Sequence, residues 1–162
     1  MQYADTVAVL RGIPLFANLD PAKLKLLAFS CAYLALEDGE ALFYEGEPAD
    51  SVYLINEGKA DICIGSNNGS EVTVATLGKQ ELIGEMGIFR NSPRSATIRA
   101  AGSLKVLRID GDVFLRIVTE NPDAALTVMQ ILSDKLARTT EDYERLKAIA
   151  RQAGVEASDP GR

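Results

Sequence analysis

Between Cys31 and Ile109 the apolar residues alternate, and short runs of them are cut apart by turn dipeptides. This pattern constrains the fold more than any other feature of the chain. The alternation predicts strands over 31–36, 41–44, 51–56, 59–66, 71–77, 82–83, 95–101 and 104–109, eight runs in all. Asp38-Gly39, Glu45-Gly46 and Glu57-Gly58 are turn signals, because glycine accepts positive φ without a steric penalty. Asn67-Asn68-Gly69 reads as a hairpin tip between two strands. Many short strands at this spacing argue for a sandwich or roll. Helical patterns confined to the two ends favour a jelly-roll type of barrel.

The ends carry those helices. Tyr3 to Arg11 has the length for a helical turn or two, and Ile13-Pro14-Leu15-Phe16 is an apolar cluster suited to packing across a helix. Asp20-Pro21 is a helix start, Asp capping free N–H groups and Pro fitting the first helical position. Leu24, Leu27 and Ala28 then share a face of a helix running to about Phe29. After the strands, Asp110-Gly111-Asp112 caps a short helix over about 113–119, and Asn121-Pro122 repeats the cap-plus-proline start. No Pro or Gly then interrupts the chain until Gly154, which predicts a helix of about 45 Å, too long to be only a lid on a small barrel. Its stripe of Ala125, Met129, Leu132, Leu136, Thr139, Tyr143, Leu146 and Ala150 alternates steps of four and three, a heptad seam. The seam is expected to pack on the barrel in its first part and to dimerise beyond Leu136. The opposite face, with Asp134 and Arg138 and then Glu141 and Arg145 at i,i+4, is a solvated surface. Residues 154–162 read as a flexible tail.

Composition narrows the function. A chain of 162 residues fits one domain. It has no histidine, which removes the commonest general base and the commonest metal ligand. Cys31 and Cys63 lack metal-ligand spacing and are expected as buried free thiols. No catalytic residues, metal or cofactor are therefore expected. The net charge of −6 argues against a nucleic-acid surface, and no second helical cluster follows the long helix to serve as a helix-turn-helix. No apolar run approaches the roughly 18 residues of a membrane span and the N-terminus lacks a signal pattern, so no membrane contact and a cytoplasmic location are expected.

Two opposite charges interrupt this core-like sequence, Glu85 and Arg94, within Gly84-Glu85-Met86-Gly87-Ile88-Phe89 and Pro93-Arg94-Ser95-Ala96-Thr97. They fit a plain ion pair across a loop. They also fit a ligand bearing both hydroxyls and a negative charge. Arg94 offers a planar fork for phosphate oxygens, Ser95 adds a hydroxyl and an N–H, and Gly84 lets the backbone approach closely. The ionised Glu85 only accepts hydrogen bonds and needs donors such as ribose hydroxyls.

These segments resemble the phosphate-binding cassette of the cyclic nucleotide-binding domain family. Asp38-Gly39-Glu40, Glu45-Gly46-Glu47-Pro48-Ala49-Asp50, Tyr53-Leu54-Ile55 and Gly58 resemble its glycine-bearing strand signature, and Ile13-Pro14-Leu15-Phe16 its opening. The resemblance covers roughly 10–150 and implies a mostly β fold with flanking helices: an eight-stranded, jelly-roll-like β-roll with N-terminal helices and a long C-terminal helix. One domain is expected over 1–153, the roll over about 31–109 and the C-terminal helices over about 112–153. By position, Arg94 would bind the cyclic phosphate and Glu85 the ribose 2′-hydroxyl. Gly84, Met86 and Ser95 would contribute backbone contacts, and Val74 would wall the base pocket, with ordinary core packing the alternative for Val74. Asn121-Pro122-Asp123 and Thr139-Thr140-Glu141 are similar to the family's dimerisation helix, where Thr139 and Thr140 would meet the base. The alternative for Thr139 is a hydroxyl bonded to its own helix.

Two positions depart from the family pattern: Gln80 stands where glycine is common, and Gly87 where alanine is common. Ser95 is intermediate between the threonine associated with guanine and the alanine associated with adenine; a Ser follows the arginine in the family's bacterial cyclic-AMP receptors too, and that resemblance implies cyclic AMP over cyclic GMP. The implied function is a sensor module in which ligand closes the C-terminal helix over the roll and signals through a homodimer or an effector protein. The competing expectations are a ligand-free dimerisation or interaction module of the same fold and, disfavoured by the missing histidine, an enzyme acting on cyclic nucleotides.

Overall fold

The structure, a computed structural model, describes residues 3–154 apart from Asn67. Asn67, the first residue of the expected hairpin tip, and nearly all of the expected tail (155–162) lie outside the described residues. In chain order the elements are α1 (Tyr3–Arg11), α2 (Pro21–Ser30), β1 (Ala32–Leu36), β2 (Ala41–Phe43), β3 (Ser51–Gly65), β4 (Glu71–Leu77), β5 (Leu82–Ile83), α3 (Glu85–Arg90), β6 (Thr97–Asp110), α4 (Gly111–Glu120) and α5 (Pro122–Gln152).

The strands form one antiparallel array in the order β1-β6-β3-β4, with β2 on β6 and β5 on β3. β3 and β6 are its spine, paired from Ser51↔Asp110 to Cys63↔Thr97. The eight expected runs become six strands, because two pairs of runs are each one continuous strand. The interruptions read as breaks are bulges inside the ladder. Register shifts on both sides of Glu57, and Gly58 and Gly102 take φ of +91° and +78°. A bulge bends and twists a strand without ending it, so the long strands curl into a roll.

The alternating apolar faces meet inside that roll. Phe43, Tyr53, Ile55, Ala60, Ile83, Ile98, Leu104 and Val106 are all buried there. The helix starts follow the capping chemistry. Asp20 accepts from the Lys23 N–H at 3.0 Å ahead of α2, and Asp110 accepts from the Asp112 N–H at 2.9 Å ahead of α4. The Lys23 ammonium also donates to the Asn121 side-chain oxygen at 2.7 Å, fastening α2 to the end of α4. Cys31 and Cys63 are free thiols; Cys63 is buried and Cys31 half-buried, its pKa pushed up to about 12 by burial.

The chain divides into two compact units, Met1–Ala124 and Ala125–Arg162. The second consists, among its described residues, of α5 beyond its first turn. There Met129, Leu136, Tyr143 and Leu146 present an exposed apolar stripe at heptad spacing. Among the described residues no helix is long and apolar enough to cross a membrane.

Candidate functional site

The cassette is built where β5 runs out. Leu82 and Ile83 pair with Leu54 and Tyr53, which anchors the chain to the spine. Gly84 then turns it with φ +85°, a left-handed conformation that L side chains rarely adopt. The six-residue α3 follows and stops at Asn91, whose left-handed φ of 49° lets its N–H close on the Gly87 carbonyl. Arg94 is lashed down by two backbone bonds of 2.8 Å, its N–H to the Glu47 carbonyl and its carbonyl from the Gly46 N–H. The turn at 46–47 therefore sets where the Arg94 side chain starts.

That side chain goes inward and is 4 % exposed. Nη1 donates to the Gly84 carbonyl at 3.0 Å, and Nη2 to the Ser51 carbonyl at 2.9 Å and its hydroxyl at 3.2 Å. The Phe43 ring lies under the guanidinium, 4.1 Å from its centroid. The Asp50 carboxylate lies 3.7 Å from Nη2 and is itself mostly exposed. The Arg94 Nε is buried without a hydrogen-bond partner among the described residues. Burial holds the pKa of Arg94 below its ordinary value, opposed by Tyr53, Asp50 and Glu47. A guanidinium stays charged throughout the working pH range, so this is a buried cation with one N–H unpaired. Leaving a buried donor without a partner costs about 1–3 kcal/mol. Glu85 is equally buried at 3 % exposure.

Glycine is required at two points here. A Cβ on Gly84 would stand 2.5 Å from the Arg94 Nη1. A Cβ on Gly87 would meet the Ala49 Cβ at 2.5 Å and the Ser92 carbonyl at 3.1 Å, so the departure from alanine at this position has a packing reason.

Of the expected site residues, Arg94 holds the carbonyl of the half-buried Gly84, and Glu85, the next residue, is buried as Arg94 is. Met86 turns its side chain outward, 48 % exposed, and Ser95 is exposed beside Arg94. Val74 is not core. It is 53 % exposed on β4 and lacks a partner in the ladder, because the register shifts there between Ile62 and Cys63. Thr139 and Thr140 lie in the second unit, where their hydroxyls donate to the Lys135 and Leu136 carbonyls at 2.9 Å.

Sequence reasoning missed the residues that hold Arg94: Phe43, Asp50 and Ser51. Their only signal was membership of the 45–50 segment or of strand-like runs, and nothing local tells which of them reaches a residue some forty positions away. Asp50 does more than face Arg94. Its carboxylate also lies 3.5 Å from Arg108 and accepts from the Ser51 hydroxyl, and its carbonyl accepts the Gly111 N–H at 2.9 Å at the start of α4. Phe89 of α3 packs on Phe114 of α4, ring centroids 5.6 Å apart. The cassette is thus mechanically joined to α4.

Comparison with known proteins bears on this geometry. The chain is 30% identical over 138 residues to a cAMP-dependent protein kinase regulatory subunit of Blastocladiella emersonii, covering 85% of this chain and 32% of that protein. It is 25% identical over 142 residues to a CRP-like cAMP-activated global transcriptional regulator of Mycobacterium tuberculosis, covering 88% and 62%. This chain therefore spans less than two thirds of either relative. Among solved structures, the catabolite activator protein of Thermus thermophilus superposes with a TM-score of 0.67 at 27% identity, covering 83% of this chain and 63% of that one. The β-roll with flanking helices and a long C-terminal helix is the architecture they share. The family model described as cyclic nucleotide-binding domain matches residues 33–121, more than half of the chain, and the protein belongs to that family.

Proposed function

We propose that this domain is a regulatory sensor, not an enzyme, that binds a cyclic purine nucleotide, cyclic AMP in preference to cyclic GMP. The observation that carries the proposal is the buried Arg94 guanidinium with its unpaired Nε, bonded to the Gly84 carbonyl immediately before the buried Glu85. The cyclic phosphate takes Arg94, and Glu85 accepts from the ribose 2′-hydroxyl. Gly84, Met86 and Ser95 supply backbone contacts, Ser95 its hydroxyl as well. Val74 walls the base, and Thr139 and Thr140 reach it from α5. The preference for cyclic AMP rests on Ser95 and on the two relatives above being a cAMP-dependent and a cAMP-activated regulator.

The switch follows from what Arg94 already holds. A phosphate competes with the Gly84 carbonyl, which sits at the entry to α3, and with Asp50, whose exposed carboxylate at 3.7 Å adds little attraction. Any displacement of Asp50 is felt at the Gly111 N–H, the first residue of α4. The energy available for signalling is the difference in ligand affinity between the two arrangements. The output passes through a second copy joined at the α5 stripe or to an effector protein, in the cytoplasm and without nucleic acid or membrane as partner.

A ligand-free interaction module is the second reading, favoured by one fact: Nη1 and Nη2 of Arg94 are already engaged by acceptors of its own chain. Calorimetry separates the two. Wild type is expected to bind cyclic AMP with micromolar affinity, about −8 kcal/mol. Arg94→Leu removes charge-assisted bonds of about 1.5–3 kcal/mol each and should weaken binding at least tenfold. Arg94→Lys keeps the charge without the fork and should also bind weakly, with circular dichroism checking that both variants fold. Failure of wild type to bind either nucleotide leaves the interaction module standing. Cyclic GMP binding about tenfold tighter than cyclic AMP would overturn the preference, and release of 5′-AMP would revive the enzyme.

A further inference from the structure

A half-open cleft of about 200 Å³ lies between α1 and the roll, and none of its lining residues belongs to the cassette. Leu54 of β3 and Leu107 of β6, both buried, line it together with Val9 of α1 and Ile13 just beyond. Three polar residues line its rim: the half-buried Asn56 at the middle of β3, and the exposed Lys79 and Gln80 from the β4–β5 turn. Among the described residues their side chains make no hydrogen bond or ion pair. An apolar pocket with a few convergent polar groups is the common form of a small-molecule site.

Gln80 adds an independent observation. Its φ is +69°, a left-handed conformation unusual for a residue other than glycine, asparagine or aspartate. Glycine there would relieve the strain. The turn is nonetheless locked, the Gln80 N–H donating to the Ile55 carbonyl at 2.8 Å and the Gly78 N–H to the Glu81 carboxylate at 2.6 Å. Strain retained together with a side chain at a cleft points to use of that side chain.

We propose that this cleft is a second ligand site, taking a small monocarboxylate with an apolar tail. The Lys79 ammonium meets the carboxylate, the Asn56 and Gln80 amides donate to its oxygens, and the tail lies among Val9, Ile13, Leu54 and Leu107. The volume holds only about six or seven waters at ~30 Å³ each, below the ~300–1,000 Å³ of drug-sized pockets. The lining offers a single ammonium and no guanidinium fork, which suits one carboxylate better than a phosphodiester.

The test is an NMR titration of the isotopically labelled protein, saturated with cyclic AMP, using sodium hexanoate as the probe and hexanamide as its neutral counterpart. Saturable shifts are expected at the amides of Val9, Asn56 and Gln80. Hexanamide, and hexanoate on Lys79→Gln, should each bind at least about tenfold more weakly, equivalent to 1.4 kcal/mol. Non-saturating shifts, shifts centred elsewhere, or equal hexanoate affinity in Lys79→Gln would overturn the proposal. Lys79→Gln should leave cyclic AMP affinity unchanged, so loss of nucleotide binding and loss of this site are read separately.

Discussion

Gly84 carries two constraints at once: a left-handed backbone and a Cβ position already occupied by the Arg94 guanidinium. Alanine there pays a conformational cost of about 1–2 kcal/mol and also pushes Nη1 off the Gly84 carbonyl. Gly84→Ala is therefore expected to lower urea-unfolding stability by at least that amount and to weaken cyclic AMP binding in calorimetry. A variant of unchanged stability and affinity would show that Arg94 need not hold this carbonyl. Glu85 and Arg94 were singled out in the sequence as charges in core-like surroundings, and both are buried. The approach of Asp50 to Arg94 was not legible. Asp50 reaches it through the fold, by way of the β3 start and the 46–47 turn.

Within the elements, the decisive feature is that β3 and β6 run through their own glycines. Gly58 takes φ +91°, and a Cβ on it would lie 2.2 Å from the Ser103 carbonyl oxygen, a backbone atom that cannot step aside without breaking the ladder. Gly58→Ala should destabilise the domain by several kcal/mol, roughly 3 or more, seen as a large fall in the urea midpoint at constant m-value. An effect below about 1 kcal/mol would mean the ladder yields locally at little cost. Local chemistry marks a glycine as a place where the chain turns. Whether it turns out of the sheet or bulges within it depends on the partner strand, which is why eight apparent runs make six strands.

For the whole molecule, the stripe of α5 is the open question. Met129, Leu136 and Leu146 are between 62% and 68% exposed in the single chain, at the spacing of a two-stranded seam. A self-associating chain is expected to sediment as a dimer, and Leu136→Asp with Leu146→Asp to sediment as a monomer with its secondary structure intact. A wild-type chain that remains monomeric at micromolar concentration would remove the dimer from the proposed output. Thr139 sits within this stripe with its hydroxyl bonded to its own helix, so titrating Thr139→Val with cyclic AMP asks whether that hydroxyl reaches the base.

The sequence by itself determined whatever depends on neighbours along the chain. It placed the helix caps at Asp20 and Asp110, the alternation that makes strands, the uninterrupted α5, and the glycine-flanked charges of the cassette. These are readable because capping, φ preference and periodicity act over a few residues. The tertiary structure alone decided which distant atoms meet. It put Ser51 and Asp50 around Arg94, left its Nε unpaired, turned the Glu57-Gly58 turn signal into a bulge, and opened the cleft where Gln80 stands in a strained conformation. Such contacts join residues tens of positions apart, and their partners are fixed by strand register and burial, which no local pattern encodes.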